Sequence, residues 1–167
     1  MTATKMQILT DSEVSKMLKR LAYQVYERNF DEKELVIAGI CGQGNAVAKL
    51  LCEELGEISP IKIQFIEVQL DKENPTKNKV AINPSIKLEN KCVIVVDDVL
   101  NTAKTFAYAL LPFMGLKIKK LQTLVLVDRN HRLFPISADF IGMSLSTTLQ
   151  EHVTVSIEKK KVKVFLS

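Results

Sequence analysis

The chain has 167 residues, with Lys+Arg 23 against Asp+Glu 19 for a formal net charge of +4, an excess too small by itself to imply nucleic acid. Hydrophobic residues make up 47% and charged residues 25%, which excludes a wholly disordered chain and suits one compact domain over residues 1–167. No apolar run approaches the roughly 20 residues needed to span a bilayer, Met1 to Gln7 lacks the apolar core of a secretory signal, and Cys41, Cys52 and Cys92 show no CxxC spacing. A cytoplasmic protein is therefore expected, with no membrane partner, no disulfide framework and no protein-built metal site.

Thr10-Asp11-Ser12-Glu13 matches the capping box, and Val14, Met17, Leu18, Leu21 and Val25 follow at helical spacing, so a first helix should reach about Arg28. Leu35 to Ile40 is a continuous apolar run of strand length, the pattern of a strand buried on both faces. Cys41 to Gly44 is a glycine-containing loop, and Ala46 to Leu55 reads as helix with Gly56 placed to end it. Ile61 to Leu70 alternates as a second strand. Asp71 to Val80 is charged, broken by Pro75, and reads as a surface loop. Cys92 to Val96 is a third strand, Asp97 to Asn101 a loop, and Thr102 to about Met114 a helix that Pro112 should distort. Leu121 to Val127 is another buried strand. Phe140 to Met143, Val153 to Ile157 and Val162 to Leu166 read as shorter strands, the last two joined across Lys159 to Lys161.

Alternating strand and helix patterns predict an α/β fold: a doubly wound, mostly parallel sheet with helices on both faces and a small C-terminal antiparallel hairpin. Ligands in such sheets sit outside the carboxyl ends of the strands, so the loops after Ile40, Leu70, Val96 and Val127 are where chemistry is expected.

Gly42-Gln43-Gly44 after a strand invites a dinucleotide reading, but Val47 stands where Gly or Ala is needed for close packing. Gly39-Ile40-Cys41 resembles a nucleophile elbow, yet His131 and His152 are the only histidines, and a small residue in a tight loop is the simpler reading. Val93 to Thr105 carries more. Adjacent carboxylates Asp97 and Asp98 repel and need donors: ribose hydroxyls, a metal or backbone N–H groups. Thr102, Thr105 and the free N–H groups of a helix start form an anion cradle beside them. Simple helix capping accounts for one acid and one threonine; a ligand with a polyol and a phosphate accounts for both pairs. Residue chemistry alone leaves both readings open.

Val93-Ile94-Val95-Val96-Asp97-Asp98-Val99-Leu100-Asn101-Thr102-Ala103-Lys104-Thr105 resembles the phosphoribosyl-diphosphate signature of type I phosphoribosyltransferases, a hydrophobic strand, two acids, two hydrophobics and then T-G-[KR]-T. Leu35 to Leu51, Val125 to Arg132 and Pro135 to Gly142 resemble one branch, the bifunctional pyrimidine-operon regulators that are also uracil phosphoribosyltransferases. The resemblance covers residues 8 to 157.

The resemblance implies roles. Asp97 and Asp98 would be catalytic, holding the ribose hydroxyls of 5-phosphoribosyl 1-diphosphate beside Val99 and Leu100. Asn101, Thr102, Ala103, Lys104 and Thr105 would wrap the 5′-phosphate. Cys41, Gly42, Gln43 and Gly44 match the diphosphate loop, and Lys72 belongs to a flexible lid, Asp71 to Lys79. Val127, Asp128 and Arg129 match one wall of the base pocket. Mg²⁺ would be held mainly through the substrate's diphosphate. A homodimer is expected on the same grounds.

This sequence departs from the pattern at several places. Asn101 stands where purine-type relatives carry an acid, Ala103 replaces the signature glycine, and Gln43 replaces a basic residue. Lys72 stands for an arginine, keeping the charge but not the bidentate fork, whereas Lys104 lies within family variation. The expected activity is phosphoribosyl transfer to a pyrimidine base, uracil first, giving UMP with weakened catalysis. The alternative is a nucleotide-sensing, RNA-binding attenuation regulator. Its charge would come from Lys117, Lys119, Lys120, Lys159, Lys160, Lys161 and Lys163, which read more simply as solvated surface.

Overall fold

Apolar runs of strand length, separated by amphipathic segments, need covering on two faces, and the chain meets that need with two layers of helix. The structure is a computed structural model that describes residues 5–167, so Met1 to Thr4 of the N-terminal stretch read above lie outside it. Its elements are β1 (Met6–Leu9), α1 (Asp11–Arg28), β2 (Glu34–Ile40), α2 (Gln43–Ile58), β3 (Lys62–Gln69), β4 (Ala81–Asn83), β5 (Cys92–Leu100), α3 (Lys104–Ala109), α4 (Leu111–Met114), β6 (Lys120–Asp128), β7 (Phe140–Ser144), β8 (Val153–Glu158) and β9 (Lys161–Leu166).

The main sheet has six strands in the order β4-β3-β2-β5-β6-β7, parallel throughout except at the β4 edge. Alternate side chains go to opposite faces. Leu35, Ile37, Cys92, Ile94 and Val96 pack under α1 and α2, while Val36, Ala38, Ile40, Val93 and Val95 meet Phe106 and Phe113 of α3 and α4. The fully apolar β2 pattern thus reflects a strand with a neighbour on each edge and a helix layer on each face. The expected double winding is what the structure has. Winding reverses between β2 and β5, which opens a crevice at their carboxyl ends.

The capping box of α1 forms: Thr10 Oγ1 accepts from the Glu13 N–H at 3.3 Å, and Glu13 Oε2 accepts from the Thr10 N–H at 2.8 Å. Other boundaries moved. Helix α2 passes through Gly56 to Ile58, because Gly56 keeps a negative φ and the stop comes from Ser59, whose N–H and hydroxyl both donate to Leu55 O. The acids expected in a loop lie inside β5, since β6 continues to pair with them: Asp97 with Val125 and Leu100 with Asp128. The single helix expected from Thr102 to Met114 is two, separated at Leu110, with Pro112 in the first turn of α4, where its missing N–H does least harm.

Two strands escaped the sequence reading. β4 is a three-residue edge strand just past the charged loop, too short to show alternation. β1 is four residues long and pairs antiparallel with β9, making the C-terminal hairpin a three-stranded sheet, β1-β9-β8. Val155, Val162 and Val164 of that sheet join the core on the α1 and α2 side.

Helix α2 is held close to β2 at Gly39. A methyl group there would lie 2.6 Å from Asn45 Oδ1 and 2.9 Å from Ala48 Cβ. Gly39→Ala is expected to push the start of α2 off the sheet and to destabilise the fold by about 1–3 kcal/mol, the usual range for overpacking. Denaturant unfolding checks this; an unchanged midpoint would mean the helix shifts freely.

Candidate active site

The crevice between β2 and β5 is built from two turns. β2 ends in Cys41 and Gly42, the latter at φ 86°, and α2 begins at Gln43. Cys41 is anchored by its N–H to Val68 O at 3.0 Å and by its thiol, which donates to Leu70 O at 3.2 Å. Val47 is fully buried on the sheet, so α2 packs through a valine rather than through the close glycine contact of a dinucleotide turn. Gly44 is pressed against β5: a methyl group there would come within 2.7 Å of Asp97 Oδ1 and 3.0 Å of Val96 O.

Asp97 is 3% exposed. Its Oδ1 accepts from the Asp98 N–H at 3.0 Å and from Lys72 Nζ at 3.0 Å. Burial pushes the Asp97 carboxyl up from its ordinary 3.8 to about 8; Asp98 adds to the rise and Lys72 opposes it. At Lys72 burial works against the charge, but Asp97 and then Asp98 outweigh it, so the ammonium sits above its ordinary value. Asp98 and Val99 are half-buried and Leu100 is buried. Lys72, from the loop between β3 and β4, therefore reaches the acids.

Beyond β5 the chain turns sharply. Ala103 is buried in the left-handed region, at φ 67° and ψ 4°, as the residue that starts α3. Thr102 Oγ1 accepts from the Lys104 N–H at 3.3 Å, and Thr102 O accepts from the Leu133 and Phe134 N–H groups at 2.9 and 3.1 Å. Lys72 and residues Val99 through Phe106 surround a cleft of about 200 Å³. Asn101, Thr102, Ala103, Lys104 and Thr105 thus share one small cavity, with Lys104 and Asn101 on its exposed rim.

At the end of β6, Asp128 and Arg129 are buried, 1% and 3% exposed. Asp128 Oδ1 accepts from the Asn130 N–H at 2.8 Å, and its Oδ2 pairs with Arg132 at 2.5 Å. The Arg129 guanidinium donates to Asn101 Oδ1, Thr147 Oγ1 and the Thr148 and Glu151 carbonyls. His131 Nε2 lies 2.6 Å from Thr147 O. Arg132, His131 and the segment from Thr147 to Glu151 were not among the expected site residues. The run DRNHR directly after a buried strand was the signal for the first two; nothing local announced the third.

A profile for the phosphoribosyl transferase domain matches residues 6–158, nearly the whole chain. The chain belongs to the phosphoribosyltransferase family. It is 34% identical over 167 aligned residues to the bifunctional protein PyrR of Deinococcus radiodurans, covering 95% of this chain and 91% of that one. Against the bifunctional protein PyrR of Bacillus pumilus the identity is 33%, with coverage of 93% and 92%. Within the family the chain thus falls in the PyrR branch, the one its sequence resembles. A hypoxanthine phosphoribosyltransferase from Trypanosoma cruzi, solved with IMP, superposes with a TM-score of 0.74 at 21% identity, covering 96% of this chain and 94% of that one, which establishes the shared fold.

Ala103 carries the strain that a glycine in the family signature would avoid. Ala103→Gly is expected to stabilise the protein by about 1 kcal/mol, the left-handed penalty less the greater chain entropy of glycine; thermal unfolding reads it, and a lower Tm would refute it. For Asp97, folding raises the affinity for a proton. The native state therefore binds more protons than the unfolded chain between 3.8 and about 8, and stability from this group falls as pH rises through that window. Asp97→Asn should flatten the decline of Tm over that interval, whereas parallel curves for both proteins would show that Asp97 is ionised throughout.

Proposed function

We propose that the chain transfers the phosphoribosyl group of 5-phosphoribosyl 1-diphosphate to a pyrimidine base, uracil first, releasing diphosphate and forming UMP. The observation that carries this reading is the pair Asp97 and Asp98 ending β5 beside the left-handed turn at Ala103, across the crevice from the Gly42 turn. One turn faces a polyol and a phosphate; the other faces the position of a leaving group.

In the reaction the bond from the anomeric carbon to diphosphate breaks while a bond to the base nitrogen forms, and the proton of that nitrogen leaves with the diphosphate or to solvent. The transition state carries positive charge on the sugar ring. Asp97 and Asp98 hold the ribose hydroxyls, whose donated bonds favour the ionised form of Asp97, and the carboxylates oppose that developing charge. Backbone N–H groups and hydroxyls from Thr102 to Thr105 fix the 5′-phosphate, so the sugar cannot swing toward water. In this reading Lys72, paired with Asp97 at 3.0 Å, turns to the diphosphate as the loop closes over the substrate. No covalent nucleophile from the protein is needed, in keeping with a Cys41 thiol that donates a hydrogen bond to Leu70 O.

Among the described residues no three His, Cys, Asp or Glu side chains converge as a metal cage. Two adjacent carboxylates and a polyanionic substrate still fit a hard cation such as Mg²⁺, which would neutralise leaving-group charge while held by the diphosphate with Asp97 and Asp98 nearby. A pyrimidine is favoured because Asn101, an amide that does not titrate, occupies the position of the acid in purine-type relatives. The regulator reading rests on the bifunctional relatives and on Lys159, Lys161 and Lys163 around a groove on the outer face of β8 and β9. Three of the other lysines are engaged elsewhere: Lys119 pairs with Glu32, Lys160 with Glu53, and Lys120 donates to Asn29.

A base-by-base turnover screen with 5-phosphoribosyl 1-diphosphate and Mg²⁺, following released diphosphate, tests the proposal. Uracil is expected to give the highest rate; UMP binding without turnover on any base would favour the regulator. Asp98→Asn should weaken UMP binding by about 1–3 kcal/mol through loss of a charge-assisted bond, and equal affinities by calorimetry would remove Asp98 from the site.

A further inference from the structure

Arg129 is 3% exposed, and no carboxylate lies within 4.0 Å of it among the described residues. A buried cation without a carboxylate partner is held by neutral acceptors. Its Nε donates to Thr147 Oγ1 at 3.0 Å, Nη1 to Asn101 Oδ1 at 3.1 Å, and Nη2 to Thr148 O at 3.3 Å and to Glu151 O. The Arg129 N–H also donates to Leu100 O at 3.0 Å. One side chain therefore ties the mouth of the phosphate cleft to the segment leading into β8.

A guanidinium has donors and no acceptor, so only the amide oxygen of Asn101 can face it. The polarity of that amide is settled by its partner. Asn101 lies on the exposed rim of the cleft, and with Oδ1 turned to Arg129 its Nδ2 is the group left for a ligand. We propose that Arg129 is a positioning residue which fixes Asn101 as a donor-only contact, and that the ligand group meeting Asn101 is an oxygen acceptor. The inference rests on the phosphoribosyl reading of this cleft. The acceptor has two sources, an oxygen of the 5′-phosphate or a carbonyl of the base. The charge of Arg129 behind the amide, with no carboxylate in direct contact with it among the described residues, favours the phosphate, since a nearby cation strengthens a bond to an anionic oxygen. An Asn101 free to turn over would offer oxygen as readily as nitrogen; held by Arg129, it is ordered before the ligand arrives.

Calorimetry with ribose 5-phosphate and with UMP tests this on the wild type, Asn101→Asp, Asn101→Ala, Arg129→Lys and the double variant. Asn101→Asp keeps an oxygen toward Arg129 but places a second one at the rim. It should weaken binding at least about tenfold while leaving Tm equal or higher, which a merely structural role would not produce. An equal loss for both ligands places the acceptor on the phosphate; a loss confined to UMP places it on the base. Arg129→Lys should cost affinity in the wild type and nothing further in the Asn101→Ala background, because Arg129 acts through Asn101. Unchanged binding in Asn101→Asp, or the same Arg129→Lys cost in both backgrounds, would overturn the inference and leave the phosphoribosyl reading standing. A wild type that binds neither ligand would overturn both. Should Arg129→Lys fail to fold, the Asn101→Asp measurement decides alone.

Discussion

A carboxylate buried at the end of a central strand must find donors, and Asp97 shapes the crevice around that need. The Asp98 N–H and the Lys72 ammonium supply two of them, and Gly44 brings the first turn of α2 against the same oxygen. Remove the glycine and the helix start cannot approach; remove Lys72 and the carboxyl keeps only a backbone partner. Burial raises the affinity of Asp97 for a proton, so the group is held in tension between neutrality and its ammonium partner. A ligand rich in hydroxyls would relieve that tension, because it brings donors without bringing a charge of like sign to the carboxylate.

The rest of the site is bracing. The left-handed turn at Ala103 has no side-chain cap of its own, and its preceding carbonyl, on Thr102, is held by two N–H groups from the 133–134 stretch. That stretch is held in turn by Asp128, which pairs with Arg132 and takes the Asn130 N–H. Arg129 joins Asn101 to the 147–151 segment. Cleft geometry therefore depends on side chains that lie behind it, and a small shift of β6 against β5 would move the turn at Asn101 to Ala103 as a unit. Rigid support of this kind keeps a small polar cleft in shape before any ligand is present.

Sheet topology explains why these pieces meet. β2 and β5 are neighbours from which the chain winds outward in opposite directions, so the loops that follow them diverge and leave a crevice at the carboxyl ends. The third contributor, Lys72, comes from the loop after β3 and reaches Asp97 with its ammonium. Similarity in fold to a hypoxanthine phosphoribosyltransferase at 21% identity shows that this arrangement tolerates wide changes of side chain.

Much was legible in the sequence because it depends on local pattern. Thr10 and Glu13 announced the start of α1 and LVIAGI announced a strand covered on both faces; Asp97 to Thr105 stood out by residue type and spacing, but only their resemblance to a family signature chose between a helix cap and a ligand site. Strand alternation with helices then led to a doubly wound sheet. What the tertiary structure decided involves partners distant along the chain. β1 is a strand because β9 offers it an edge, and β5 runs through the acids because β6 goes on pairing with them. The left-handed state of Ala103 follows from its place between a paired strand and a helix, not from its own preference, which is against it. The partners of the Arg129 guanidinium were not legible either, because Asn101, Thr147, Thr148 and Glu151 converge on it only after folding. Sequence spacing carries information about neighbours one or two turns away; a hydrogen bond between residues 28 apart exists only once the sheet has brought them together.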